Sequence, residues 1–386
     1  MTGPEIELEV RVVERIADIS RSQWDACAGA DNPFLSHDFL DALEQSLSVS
    51  ADEGWLPRHL AAFDGEGRLA AAMPLYLKGH SQGEYVFDHS WAQAWERAGG
   101  RYYPKLLSAV PFTPVTGRRM LIRPDVDQAA YEGALADAML QLVEQSGVAT
   151  LHVNFLTAAE QERLGEFGFL KRTGQQFHWQ NDGYADFQDF LNALSSRKRK
   201  NIRKEREAVA AQGVTMHVLT GDALDSSHWD AFYGFYRNTT DRKWGWDYLK
   251  RPFFSCLQER MADRIALVMA EHEGEWVAGA LNLIGSDTLY GRNWGCVAHF
   301  KNLHFEACYY QAIEFAIGRG LSRVEAGAQG QHKLQRGYLP QETYSAHYIA
   351  DPNFRSAIED FLRREREAVD EEIAFLEEFS PFKRSG

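Results

Sequence analysis

The chain has 386 residues, 45% of them hydrophobic and 25% charged, with a formal net charge of −14. That length supports a large buried core in two domains or one large one, and the acidic balance excludes a global attraction to nucleic acid or anionic lipid while leaving room for local basic patches. Cys27, Cys256, Cys296 and Cys308 show no CxxC spacing and read as reduced, buried thiols of a cytoplasmic protein. No apolar run is long enough to span a bilayer, and the acidic start MTGPEIELEV lacks the apolar core of a secretion signal.

In chain order, a strand is predicted over Arg58 to Phe63, a hairpin turn at Asp64-Gly65-Glu66-Gly67 and a return strand over Leu69 to Leu77. Strands follow at Tyr85 to Asp88 and Leu106 to Phe112. A helix covers Ala129 to Gln145, then a strand Ala149 to Phe155, a short helix from Thr157 and a turn at Gly168-Phe169 into a last strand. A helical section comes next. Its first helix, Asp186 to Gln212, carries apolar residues at helical spacing and stops at Gly213; two more cover Ser227 to Thr240 and Tyr248 to Met261. The first plan then repeats: strand Ile265 to Ala270, turn His272 to Glu275, strand Trp276 to Ile284, strand Thr288 to Trp294, an apolar helix from Leu303 to Gly318, strand Arg323 to Ala326 and a Gly337-Tyr338 turn. The matched order predicts two tandem domains, 1–183 and 184–386, the second holding the helical insertion (about 184–262) and a long C-terminal surface helix, Asn353 to Phe379.

Four segments carry chemical potential. Seven of the ten residues from Arg197 to Arg206 are cationic; they read either as a solvated helix face or as an anion site, with Arg199 and Arg203 as its binding residues. The loop Tyr102 to Arg119 is stiffened by prolines and offers Lys105, Thr116, Arg118 and Arg119 to a phosphate or carboxylate, against the simpler reading of a turn with surface arginines. From Glu325 to Tyr338, three glycines permit close backbone approach, and Gln329, His332, Lys333 and Arg336 can converge on one cleft. Acyl transfer to an amine needs a proton acceptor and donors for the tetrahedral oxyanion. Glu325 or His332 fits the base, Tyr338 the acid for the leaving group, and strand amides near Asn293 the oxyanion donors; an ordinary structural glutamate is the competing reading. Trp244, beside Trp246, walls an acceptor pocket or merely packs in the core. His299 and His304 form no metal motif, so no metal is expected. GxxxxGK[ST] and GxGxxG are absent from the sequence.

The stretch Tyr290-Gly291-Arg292-Asn293, the helix ending at Gly320, Glu325-Ala326-Gly327 and Leu334-Gln335-Arg336-Gly337-Tyr338 resemble the acyl-binding half of a GNAT acyltransferase, most closely its FemABX branch. The loop Tyr102 to Arg119 and the run from Gly327 to Pro340 resemble the proteobacterial FemAB-like group of predicted N-acyltransferases, a likeness that covers nearly the whole chain. The resemblance implies tandem GNAT-like α/β domains with mixed, mostly antiparallel sheets flanked by helices. It implies an N-acyltransferase that moves an acyl or aminoacyl group to a small-molecule or peptide amine, with the C-terminal half catalytic and Arg292, Asn293 and Arg336 among the binding residues. No tightly bound cofactor is expected; the co-substrate is acyl-CoA or aminoacyl-tRNA, which makes tRNA a partner. Val297 to Asn302 has no glycine where CoA-dependent relatives wrap a pyrophosphate in backbone amides. A non-catalytic ligand- or partner-binding module of the same fold is the alternative.

Overall fold

The computed structural model describes residues 9–243, 247–328 and 330–383, without the side chains of 240–243. The chain divides into two units. The first comprises residues 1–174 and 342–370, the second 175–341 and 371–386.

In the first unit, four antiparallel strands lie in the order Glu9–Val13, His59–Phe63, Leu69–Met73 and Leu121–Ile122. The predicted hairpin is present. Its turn is tied by the Asp64 carboxylate, which accepts from the Glu66 and Arg68 amides at 3.0 Å each and from the Arg123 guanidinium at 2.9 Å. Alternating small apolar residues bury this sheet under the helix Gln128–Ser146, whose Leu135, Ala136, Met139 and Val143 form its inner stripe. Asp127 caps the helix N-terminus, and Gly147 ends it in the left-handed region. A second set of strands runs Trp55–Pro57, Tyr76–Lys78, Lys105–Ser108, Thr150–Leu156 and then Leu339–Ile349, with only Lys105–Ser108 and Thr150–Leu156 parallel. The second unit has strands in the order Val214–Leu219, Ile265–His272, Glu275–Ile284, Thr288–Cys296 and Arg323–Glu325, closed by the end of Leu170–Gln180.

The observed division departs from the expected boundary at 183/184 for a specific reason. The closing strand of each sequence repeat pairs in the other repeat's unit. His178 to Gln180 pair with Arg323 to Glu325, and Tyr344 to Ile349 pair with Thr150 to Leu156. The terminal helix Pro352–Glu377 accordingly has most of its length in the first unit. The helix expected over Asp186 to Gln212 is two helices, Phe187–Ala193 and Ser196–Ala211. Between them Leu194 bridges Phe382, and the Ser195 amide donates to Pro381 O at 2.9 Å.

No strand forms over Tyr85 to Asp88. Lys105 explains why. Its ammonium is fully buried and donates to Ser81 Oγ and Glu84 Oε2 at 2.7 Å and to Asp88 Oδ2 at 2.5 Å, so the loop is drawn inward at Glu84 and Asp88. The Tyr102 hydroxyl adds a 2.7 Å bond to Asp88. Lys105 is therefore a structural ion, not a ligand-binding one. Arg118 and Arg119 are corrected in the same way. Arg118 donates to the carbonyls of Cys27, Ala28 and Ile122. Arg119, buried, donates to the carbonyls of Val115, Gly117, Arg118 and Asn154. Their forks are spent on backbone oxygens of the proline-stiffened loop and its neighbours. Thr116 is half-buried, its carbonyl accepting from Asn32.

Replacing Lys105 by Met leaves Glu84 and Asp88 buried beside each other. We expect a loss of about 3–5 kcal/mol, the usual cost of removing one partner of a buried ion pair, seen as a lowered urea midpoint; Arg199→Ala, on a partly exposed helix face, should change it by about 0.5 kcal/mol or less.

Candidate active site

In the second unit two parallel strands part. Thr288, Leu289 and Tyr290 pair with Arg323, Val324 and Glu325, and pairing stops there. The longer strand continues to Cys296 along Glu275–Ile284, but a bulge interrupts that ladder: Leu281 faces Asn293 and Asn282 faces Gly291, leaving Arg292 as the extra residue. Beyond Tyr290 its other edge has no strand partner among the described residues. Gly291 fits tightly here. A Cβ on it would lie 3.3 Å from both Glu325 O and Asn282 Oδ1.

A cavity of about 90 Å³ occupies the fork. Arg292, Asn293 and Ala326 line it from the strands, and His304, Cys308 and Tyr309 from the helical segment opposite. That segment is α-helical over Leu303–Phe305 and Gln311–Gly318 with a π-turn, Glu306–Tyr310, between them. A π-turn widens the helix by one residue and commonly marks a functional site; here it carries Cys308 and Tyr309 to the cavity wall.

Glu325 sits where the strands part, 3% exposed. Its Oε1 lies 3.4 Å from Arg323 Nε, and its Oε2 has no hydrogen-bond partner, His178 Nε2 across the ladder being 3.9 Å away. Burial pushes the carboxyl up to about 7, against the pull of the Arg323 guanidinium. Burial, with the Arg323 and Lys333 cations, drives His178 down to about 3, so that imidazole is neutral. On the following 3₁₀ turn, Gln331–Arg336, His332 projects outward, with its Nε2 2.8 Å from the Tyr309 hydroxyl. Burial and the neighbouring Arg336 and Lys333 lower its pKa as well.

The remaining expected site residues divide clearly. Arg292 and Asn293 are at the cavity. Lys333 is 1% exposed and donates to Gly327 O at 2.7 Å, with burial pulling its ammonium down to about 8; it fastens the turn to the strand end. Arg336 lies 3.4 Å over the Phe305 ring and donates to His332 O at 2.8 Å and to Glu205 at 2.9 and 3.0 Å, so it braces the turn that carries His332. Tyr338 is fully buried in the core with an unpartnered hydroxyl, its pKa driven well up by burial, and it does not line the cavity. Its ring packs against that of Tyr309, which does line the cavity. Arg203 donates to Gln188 at 2.8 Å on the outer face of its helix, and Arg199 is half-buried on the same helix. Neither is at the cavity. Trp244 and Gln329 lie outside the described residues. Sequence reading missed Tyr309 and His178. The doublet Tyr309-Tyr310 inside an apolar helix was the available signal for the first; nothing local distinguishes the second. Among the described residues no group of histidine, cysteine and carboxylate side chains is arranged for a metal.

A family model, FemAB-like, described as peptidoglycan biosynthesis/recognition, matches residues 15–384. Similar solved structures include FemX (TM-score 0.54, 12% identity, covering 88% of this chain and 98% of that one). L-PGS from Bacillus licheniformis follows (TM-score 0.51, 10% identity, 86% and 98%). The C-terminal domain of a putative lysylphosphatidylglycerol synthetase from Agrobacterium fabrum is also similar (TM-score 0.52, 9% identity, 89% and 95%). At such identities the likeness is one of fold. No curated protein matches the sequence.

Glu325 makes stability depend on pH in a defined direction. Its folded pKa of about 7 lies above the ordinary 4.5, so the folded state holds a proton that the unfolded state releases. This stabilises at low pH and is lost as pH rises through 7. Glu325→Gln should therefore gain stability relative to the parent chain between about pH 4.5 and 7, with the gap constant above. Urea unfolding of both proteins across that range checks it.

Proposed function

The chain belongs to the FemAB-like family, and from that membership and the geometry of the fork we propose that it transfers an acyl or aminoacyl group to an amine by direct attack on a bound donor. The observation that carries the proposal is the parting of Thr288–Cys296 from Arg323–Glu325, which opens a small cavity lined by Arg292, Asn293 and Ala326, with the protonatable buried carboxyl of Glu325 next in sequence to Ala326.

The acyl carbonyl lies in the cavity, its oxygen toward the strand amides near Asn293. Strand amides held in a fixed direction beyond the fork are pre-oriented donors for the charge that develops there. The amine nitrogen attacks the carbonyl carbon and a C–N bond forms. The ammonium proton passes to Glu325, whose pKa near neutrality suits it to accept at physiological pH. The bond to the donor's leaving oxygen or sulfur then breaks, with a proton supplied by the Tyr309 hydroxyl; the exposed His332 imidazole, 2.8 Å from it, passes a replacement proton in from solvent, and Glu325 releases the one it took. Arg292 stands at the cavity wall as an anchor for an anionic donor or acceptor.

For the donor, the loop before the helix favours an aminoacyl-tRNA ester over acyl-CoA. The Lys301 amide is occupied by Gln212 Oε1 at 2.9 Å, and the Val297 amide bonds Val277 O at 2.9 Å. The pocket at this loop is walled by Trp294, Phe300, Leu303 and Phe305, a poor bed for a pyrophosphate. The family description supports a peptide amine as acceptor.

Two measurements test this reading. Glu325→Gln keeps size and one acceptor oxygen but cannot take the proton; turnover with an aminoacyl-tRNA donor should fall about 10²–10⁴-fold without a lowered melting point. Full activity would move the base to His332. A thermal-shift series with coenzyme A, acetyl-CoA and aminoacyl-tRNA should raise the melting point only with the last. Ligand binding without turnover under any donor would favour a binding module instead.

A further inference from the structure

The helix Ser196–Ala211 carries seven cations between Arg197 and Arg206. Among the described residues only Arg206 of these is paired with carboxylates; Arg203 bonds an amide, and Arg197, Lys200 and Lys204 are exposed. The inward contacts of interest come from two consecutive residues of opposite charge, Glu205 and Arg206. Successive side chains of a helix point about 100° apart, so the two reach different places. Arg206 donates through Nε to both oxygens of Glu306 at 3.1 Å, and through Nη2 to Glu314 at 2.8 Å. Glu205 accepts from the Tyr310 hydroxyl, a phenol that burial holds well above its ordinary pKa and therefore protonated. Glu306 and Tyr310 are the first and last residues of the π-turn. Two neighbouring side chains thus grip both ends of that rare departure from the α-helix.

The Glu205 carboxylate has a second attachment. It accepts from Arg336 at 2.9 and 3.0 Å, and Arg336 in turn donates to His332 O at 2.8 Å. Glu205 is therefore tied on one side to the residue that follows Tyr309 and on the other to the backbone of His332. Tyr309 and His332 come from separate segments, the π-turn and the 3₁₀ turn Gln331–Arg336. Their 2.8 Å contact depends on how firmly those segments are joined.

We infer that Glu205 is the positioning residue of the Tyr309–His332 pair. By holding Tyr310 and Arg336 at once it keeps the phenol and the imidazole in hydrogen-bonding register, while Arg206 fixes the far end of the π-turn. The purpose of this clamp rests on the proposed transfer reaction, in which the pair delivers the leaving-group proton; its geometry does not. A hydrogen bond weakens steeply once its angle slips, and a displacement of about 1 Å in a reacting constellation costs about 100-fold in rate.

The test is a double-mutant cycle on the full chain. The His332 ring is titrated by NMR, with its signals assigned from His332→Gln, in the parent chain, Tyr309→Phe, Glu205→Ala and the double variant. Removing the phenol should shift the His332 titration in the parent and leave it unshifted in the Glu205→Ala background. Glu205→Gln keeps an acceptor oxygen but loses the charge; it should retain a smaller shift, and it replaces the alanine variant if that one does not fold. An undiminished shift in these backgrounds overturns the inference, as does the lack of any shift in the parent. Glu207→Gln, at an exposed position on the same helix, should change nothing. This titration decides without turnover. With an aminoacyl-tRNA donor, Glu205→Ala should also lower kcat about 10–100-fold at unchanged KM and add nothing to Tyr309→Phe. An equal loss in both backgrounds marks a glutamate that only stabilises the fold and overturns the inference. If the titrations behave as expected but Tyr309→Phe turns over at the full rate, the positioning role stands and Tyr309 is removed from the proposed reaction instead.

Discussion

Three residue pairs decide the character of the second unit. A parallel pair of strands that kept its ladder beyond Tyr290 and Glu325 would close the sheet and leave an ordinary hydrophobic core. Pairing stops at Tyr290 and Glu325, Gly291 lies close to the Glu325 carbonyl, and the extra residue Arg292 re-aims the strand on its other side. The consequences follow from elementary accounting. Backbone donors beyond the fork lack a strand partner, and buried unpaired amides are costly unless something fills the place. The π-turn opposite supplies polar side chains without closing the gap.

Much of this was legible in the sequence. Glu325, Arg292 and Asn293 fell on strand ends flanked by glycine, where local pattern and motif coincide, and they lie at or beside the fork. Both hairpins, the long helices and the tandem order could be read for the same reason: turn residues and periodicity are local. Strand partnership is not local. Alternation marks Leu170–Gln180 and Leu339–Ile349 as strands, yet nothing within them states which neighbour each joins, and the expected boundary erred on that point. His178 was invisible for the same reason, since its relation to Glu325 exists only through the ladder.

The misplaced arginines and lysine have a common cause. Prolines in the loop Tyr102 to Arg119 remove amides while leaving carbonyls, so the loop carries more acceptors than donors. Arg119 brings guanidinium donors to that deficit at Val115, Gly117 and Arg118 and is buried by it, while Arg118 serves the carbonyls of Cys27, Ala28 and Ile122 outside the loop. Lys105 works by charge instead, fixing two carboxylates that would otherwise turn outward. Composition alone cannot separate a cation meant for a ligand from one meant for the chain. The count of unsatisfied partners can, and it points to the basic helix as the place where cations lack protein partners.

The same reasoning bears on why the acid at the fork is poised near neutrality. An ionised carboxylate beside an unpaired Oε2 position would be expensive in so buried a setting, and the neighbouring imidazole, itself held neutral, offers no charge to offset it. Arg323 supplies only part of the compensation. A carboxyl poised near pH 7 can exist in either form at small cost, so taking a proton from an incoming ammonium turns a buried pair of opposite charges into two neutral groups. An exposed carboxylate, with its ordinary acidity, would hold no such proton at neutral pH. Burial at the strand fork is therefore what makes a glutamate, rather than a histidine, a workable base in this position.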